Sequence, residues 1–566
     1  MSNQSGGQLT NLLANDPYSQ HVVARLRDFF GETTPWQRRL WDTGTVLALR
    51  ELAEATDWCS KGVLSASAVT WLARDIEKLA GRDRGVGERD LRIQLRNTLQ
   101  SNVPCGSRHH RRLVELTEFV NRDYLAGWAR AADAATPASP ERCSRAIASH
   151  LLDCGYSVRF LRQWVGRLSN SAATLADLFE SAKELAAGID RDFDAVIPFV
   201  SLPQYKQLAM PLSNWMSVKQ MRNWLSPRAF PSGLRLHGGF RYTVQARDAF
   251  AAADLVVGIV DRLKARSSHG RGFSSAGLEA AGFVWVRDGD DTHEIRLKKE
   301  PRSAYVLSLE AEGKVYDVNS PTAVDDALEL AAPLNYGPPG PAVSGGWAAI
   351  EALLTTPSDA DDGREGRGAV AADRMAILVA ASWPRGELTT LSYRHKPTAP
   401  DRLGAELHEV LINSERARLV AGALESGRRL TLGSPSDRAA ESRMKALVDA
   451  PKDTLGDVNR HMRTAFRRLY RQRNILMHGG TTGSIALPTA LRTAAPLIGA
   501  GLDRLTHAVL TEGISPLQLA ARAQLNIDLL GGDDARHLVD LLEPQDSFYR
   551  HQIDSVYLRL RSNLRP

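Results

Sequence analysis

At 566 residues, 43% of them apolar and 24% charged, the chain is too long for one hydrophobic core and reads as two or three globular domains. A formal net charge of +6 with a pI near 9.1 permits an anionic partner without requiring one, so where the charges sit matters more than their sum. The opening MSNQSGGQLTNLLANDPYSQ has no basic stretch followed by an apolar run, and no segment approaches the roughly 18 unbroken apolar residues of a membrane span. These features exclude a secreted or membrane-embedded class and point to the cytoplasm.

The expected architecture is mainly α and multi-domain. Residues 1–135 form a helical N-terminal region, in which a serine cap, helical apolar spacing and a closing glycine predict a helix over 67–81, with another over 113–132. All four cysteines, Cys59, Cys105, Cys143 and Cys154, fall early in the chain and form no disulfide framework. Cys105, His109, Cys143 and Cys154 could together offer thiolates and an imidazole to zinc. No C-x2-C pair announces such a site, and scattered buried thiols are the expectation.

After the linker-like Ala134–Pro140, residues 141–332 are expected to hold further helices, one over 173–189, and a small insert of antiparallel β-hairpins at about 282–319. The first hairpin pairs 283–287 with 292–297 around Asp288-Gly289-Asp290-Asp291, an acidic cluster read as a solvated turn. A second is expected to pair 304–309 with 314–318. The proline- and glycine-rich run 332–341 is taken as the main domain boundary. A compact helical domain follows over 345–512, with helices at 347–354, 371–381, 403–424, 455–478 and 488–510, and a polar, mobile loop at 358–368. Residues 516–566 form a C-terminal helical extension.

The chemistry concentrates in the 455–478 helix. No Asp or Glu lies between Asp457 and Asp503, while Arg460, Arg463, Arg467, Arg468, Arg471, Arg473 and Arg492 stand in that gap. At 100° per residue, Arg460, Arg463, Arg467 and Arg471 share a face that Asn474 and His478 continue, opposite Met462, Phe466, Leu469, Leu476 and Met477. Arg473 falls inside the apolar stripe. Two readings stay open: it pairs with a carboxylate such as Glu351 or snorkels to water, or it waits at a helical seam for phosphate. His478, just before Gly479-Gly480, either complements the negative end of the helix dipole or serves as a proton donor. On a regular helix Arg473 and His478 lie about 140° apart. A shared site therefore needs an unwound helix end, a curled arginine or two protomers.

Arg473-Asn474-x3-His478, preceded by Tyr470 and followed by glycines, resembles the Arg-x4–6-His motif of the HEPN superfamily. Trp347-Ala-Ala-Ile-Glu351-Ala-Leu-Leu354 similarly resembles the first long helix of ApeA-like HEPN domains of phage-defence and toxin proteins. The resemblance covers about 345–510. It implies a dimeric helical bundle that cleaves RNA without metal or other cofactor. The ribose 2′-OH would attack the adjacent phosphate to leave a cyclic phosphate and a 5′-hydroxyl. It further implies that His478 is general base or acid, Arg473 stabilises the phosphate oxygens, Asn474 orients the histidine or the ribose, and Glu351 and Tyr470 support the site. Arg460, Arg463, Arg467, Arg468 and Arg471 would supply sequence-independent phosphate contacts. Toxins of this superfamily controlled by a nucleotidyltransferase often carry a tyrosine two residues after the histidine; Gly480 stands there, so that control is not expected.

Alone, R-x4-H carries little, since Arg145 and His150 match it by chance. The rivals are a HEPN-fold module that binds RNA or a protein without catalysis, and a helical scaffold in which the motif is coincidental. No Walker A loop, G-x-S-x-G elbow or H-E-x-x-H supports another enzyme class. For residues 1–332 the expectation is a sensing or inhibitory role toward an unidentified trigger, by analogy only.

Overall fold

The N-terminal helices begin where a polar cap meets an apolar stripe. The computed structural model describes residues 16–171, 173–202, 212–228, 230, 233–270, 277–297, 300–318, 320–360, 366–532 and 535–543. The first helices are α1 (Pro17–Phe29), α2 (Thr45–Ser60), α3 (Ala66–Arg82), α4 (Arg89–Gln100), α5 (Arg108–Ala132), α6 (Pro140–Asp153), α7 (Val158–Ser169) and α8 (Leu175–Ala187). Side-chain oxygens of Asp16, Ser65, Ser107, Ser139, Ser157 and Thr174 accept from the first-turn N–H groups of α1, α3, α5, α6, α7 and α8. Each such cap contributes about 1 kcal/mol. Leu49, Leu72, Leu113, Ile147, Leu161 and Phe179 join one core from these helices. The expected helices at 67–81, 113–132 and 173–189 are all present, longer or shorter by a few residues.

An antiparallel sheet follows, larger than the expected insert. Its strands are β1 (Arg191–Ser201), β2 (Trp215–Met216), β3 (Gly238–Ala246), β4 (Glu279–Ala280), β5 (Phe283–Asp288) and β6 (Asp291–Arg296). They run in the order β2-β3-β1-β5-β6, with β4 also pairing β1. Between strands lie α9 (Val218–Leu225) and α10 (Ala249–Gly270). Central β1 is buried on both faces, Phe193, Ile197 and Phe199 toward Val256 of α10, and Val196 toward Met221 of α9. Such a strand shows no clean alternation. Pro198 interrupts it where the neighbour changes from β5 to β4, and the Pro198 carbonyl accepts from Ala281 on that side. The missing N–H thus faces a break in the ladder rather than a partner.

The hairpin around Asp288–Asp291 forms as expected, Asp288 opposite Asp291. The second hairpin does not. Residues 304–306 are irregular, and α11 (Leu307–Ala311) occupies the expected strand. The Ser308 N–H donates to the Asp503 carboxylate at 2.8 Å and its hydroxyl to the Asp503 carbonyl at 3.1 Å, so docking onto a distant helix overrides the local β preference. That docking needs Gly499, where a Cβ would overlap Ser303 and Ala304.

The remaining helices are α12 (Ala323–Ala331), α13 (Pro333–Tyr336), α14 (Pro339–Leu354), α15 (Arg367–Arg394), α16 (Arg402–Glu409), α17 (Asn413–Glu425), α18 (Pro435–Asp449), α19 (Pro451–Gly479), α20 (Leu487–Leu510) and α21 (Pro516–Asp528). The run 332–341 is itself mostly helical, because Pro333 and Pro339 occupy first-turn positions where no N–H is needed. The expected helix over 403–424 is two helices, α16 and α17. Within the polar stretch 358–368, residues 361–365 lie outside the described residues. Trp347, Met375, Val420, Met444, Phe466 and Ile498 bring six helices into one core. Helix α19 serves both halves: Met462, Phe466 and Leu469 enter this core, whereas Ile475 enters the N-terminal one.

Candidate active site at the end of the arginine-rich helix

Helix α19 holds its residues on a regular frame up to its last turn. Gly480 closes it in the left-handed region, φ 67°, and donates its N–H to the Leu476 carbonyl. This is the position where glycine avoids the cost other residues incur. The helix does not unwind before Gly479, so Arg473 and His478 project to different sides.

Arg473 is partly buried, with 29% of its side chain exposed. Its Nη2 lies 3.6 Å from a Glu351 carboxylate oxygen on α14, and its Nη1 donates to the Asn474 side-chain oxygen at 3.2 Å. Tyr470, one turn earlier, lies with its ring centroid 4.8 Å from that of fully buried Trp347. It covers Gly368 at the start of α15, where a Cβ would run into the tyrosine ring. Arg473, Asn474, Glu351 and Tyr470 are therefore gathered between α14 and α19. His478 is exposed at the helix end, and among the described residues no side chain is within bonding distance of it. Met477 beside it is 58% exposed.

The expected phosphate bed is not open. Arg467 gives two hydrogen bonds to Asp373 of α15, at 2.9 and 2.6 Å, and lies over the Trp71 ring of α3. Arg468 and Arg471 both bind Glu51 of α2, at 2.8 and 2.6 Å, and all three side chains are at most 3% exposed. Burial alone would raise the Glu51 carboxyl, but the adjoining Arg468 and then Arg471 outweigh it and hold the group below its ordinary value. Arg460 pairs with Asp457 of its own helix. Arg463 is half-buried, and its Nε has no hydrogen-bond partner among the described residues. The absence of acid near these arginines in the sequence is thus made good by acids from other helices. Arg467, Arg468 and Arg471 are structural cations in this arrangement, because carboxylates already pair with them, through two hydrogen bonds each for Arg467 and Arg471 and one for Arg468.

Sequence reasoning overlooked Glu51, Asp373 and the tryptophans of α2 and α3. For Glu51 a signal existed: it stands within the stripe Leu47, Ala48, Leu52 and Ala55 of α2, an acid on an apolar face that mirrors Arg468. The same helix end carries Trp58, against whose ring a Cβ on Gly479 would press at 3.0 Å. Glu54 binds Ser484 just beyond the motif at 2.9 Å. The N-terminal region therefore clasps α19 along much of its length.

The chance match of Arg145 and His150 is a core feature. Arg145 joins Asp42 and Glu141, and His150 packs against Tyr124 with burial, then the charge of Arg50, lowering it to about 4. Among the described residues no cluster of three or more His, Cys, Asp or Glu could hold a metal. All four cysteines are free, and burial raises Cys143 to about 12 and Cys154 to about 11. No described helix is long and apolar enough to cross a membrane.

No protein-family model, curated protein or solved structure matches the chain. The functional reading therefore rests on the motif and its geometry. Chemically, the cluster offers a forked cation with one loose counter-ion, an adjacent amide, and a solvent-open imidazole at the helix end.

Proposed function

We propose that the chain is a metal-independent endoribonuclease of the HEPN type, with Arg473 and His478 as its catalytic residues and Asn474 orienting the histidine or the ribose. The observation that carries this reading is a contrast along one helix. Arg467, Arg468 and Arg471 are locked by ion pairs of 2.6–2.8 Å, whereas Arg473 meets Glu351 only at 3.6 Å, partly open to solvent, next to the exposed His478. A guanidinium so loosely held can exchange a carboxylate for the phosphate of a bound strand.

In the proposed reaction the ribose 2′-oxygen bonds to phosphorus while the bond to O5′ breaks. His478 takes the 2′-OH proton or supplies one to the departing oxygen. Arg473 spreads its forked donors over the non-bridging oxygens as their charge grows. Glu351 and Tyr470 hold the guanidinium between turnovers. Because α19 stays regular, one copy does not juxtapose the two residues, and the same proposal includes a homodimer in which two copies complete a site. It also includes a cytoplasmic phage-defence or toxin role, with the N-terminal region sensing a trigger. That region's hold on α19 supports the last element.

The regular helix equally favours a second reading, a non-catalytic HEPN-fold module that binds RNA or protein. Incubating purified protein with single-stranded RNA in EDTA separates the two. Nuclease action predicts cleavage that His478→Ala and Arg473→Ala each reduce by about 10²-fold or more. Equal cleavage by both variants would rule the site out, and binding without cleavage would favour the second reading.

A further inference from the structure

Because Arg467, Arg468 and Arg471 are taken up by carboxylates, a strand reaching His478 needs other cations. We propose that single-stranded RNA is held on a basic surface where three helix ends meet: the C-terminal ends of α19 and α2 and the N-terminal end of α5. This rests on the ribonuclease reading and names the surface that carries its substrate.

The surface is contiguous. Gly479 lies against the Trp58 ring, and the Lys61 ammonium sits 4.8 Å from the centroid of that ring. One turn of contacts further, the Cys105 thiol lies 3.7 Å from Asp57, and a His110 ring nitrogen lies 3.3 Å from the Ala53 carbonyl. These contacts fix the start of α5 against the end of α2. That start reads Arg108-His109-His110-Arg111-Arg112, with no acid in the first turn.

Such a sequence opposes its own helix. The positive end of a helix dipole favours acids in the first turn, and cations there are unfavourable. Among the described residues no carboxylate compensates Arg108 or Arg111. Both are exposed, Arg111 donates only to the Gly106 carbonyl, and neither meets a carboxylate among the described residues. Within the surface Asp57 pairs with Lys61 and Glu115 with Arg112, and Glu54 accepts from Ser484, so the cations left without a carboxylate among the described residues are Arg108 and Arg111. Unfavourable charge kept in the open beside a candidate phosphodiester site suits a polyanion. A phosphodiester strand is the polyanion that His478 and Arg473 could also process.

The test is fluorescence anisotropy of a labelled 2′-O-methyl oligouridine, which blocks the attacking hydroxyl so that binding is read without cleavage. The variants are Arg108→Glu/Arg111→Glu and, as control, Arg262→Glu/Lys264→Glu on exposed turns of α10. Placing acids in the first turn of α5 favours that helix, so lost binding is not lost folding. The first pair should weaken binding by about tenfold or more, and lower the salt slope by about 1.4, two phosphate contacts' worth on a single strand. The control should match wild type. Unchanged binding in Arg108→Glu/Arg111→Glu, an equal loss in the control, or polyglutamate competing as well as RNA at equal charge would each overturn the proposal. The two readings fail separately. Binding that needs Arg108 and Arg111, with no cleavage of unmodified RNA, keeps the surface and removes the nuclease. Cleavage that ignores both arginines does the reverse.

Discussion

Arg468 and Arg473 share a helix and a residue type, yet their surroundings give them different work. Arg468 is sealed with Glu51, where removing either charge strands the other in a dry interior. Arg473 keeps a longer, more exposed contact with Glu351 at 3.6 Å, which in the proposed reaction it exchanges for phosphate. The two histidines of the R-x4-H matches divide in the same way, His478 open and His150 buried. A pH dependence of stability follows from His150. Its pKa falls from 6.5 to about 4 on folding, so its contribution is present above about 6.5 and is lost as pH drops toward 4. At 1.36 kcal/mol per unit, the loss reaches about 3 kcal/mol. Wild type should therefore lose more stability than His150→Leu between pH 6.5 and 4.5 in urea titrations. Carboxylates such as Glu51, held low by arginines, add their loss only below the ordinary carboxylate range. Parallel curves for the two proteins would contradict this assignment.

At the scale of elements, α19 is held from two sides, by the bundle core and by the acids of α2, α3 and α15. Thr464 donates to Asp75 of α3 at 2.8 Å, continuing the clasp begun at Glu51. Glu51→Gln should cost about 3–5 kcal/mol, because two buried guanidiniums lose their counter-charge. Replacing Glu51, Arg468 and Arg471 together by Leu, Met and Met should recover much of that loss, since no buried charge then remains. Chemical denaturation of the three proteins, wild type included, measures it, and a loss under about 1 kcal/mol for Glu51→Gln would contradict a buried pair. Along this helix the sequence made the arginines plain but not their partners. Glu51 and Asp373 lie far away in the chain, and only the fold brings them in. The gathering of Arg473 with Glu351 was legible, because Arg473 sits on an apolar stripe that must meet another helix.

Across the whole molecule, helices were legible wherever caps and apolar periodicity agreed, as in α3, α8 and α19. Strands β1 and β3 were not: β1 is covered on both faces and carries a proline, so it lacks the alternation that betrays a half-buried strand. The failed second hairpin shows the opposite error, a β-rich composition overruled by docking onto α20. The two helical halves also join more closely than a linker-based reading suggests. Arg38 binds Glu387 at 2.7 Å and Asp437 at 2.8 Å, and Arg443 reaches both Glu387 and Glu141. A fragment of residues 339–543 would leave Arg443, Arg468 and Arg471 without N-terminal acids and would uncover Ile475. It should be insoluble or lack fixed tertiary structure by near-ultraviolet circular dichroism. A soluble fragment with native-like aromatic signals would contradict that dependence.

The central claim is that Arg473 and His478 cleave RNA by attack of the 2′-oxygen. End-group analysis of RNA incubated with the full chain in EDTA tests it most directly. The expected products carry 2′,3′-cyclic phosphates and 5′-hydroxyls, disappear with His478→Ala, and do not form from 2′-O-methyl RNA. Products with 5′-phosphates, or cleavage that persists in His478→Ala, would contradict it.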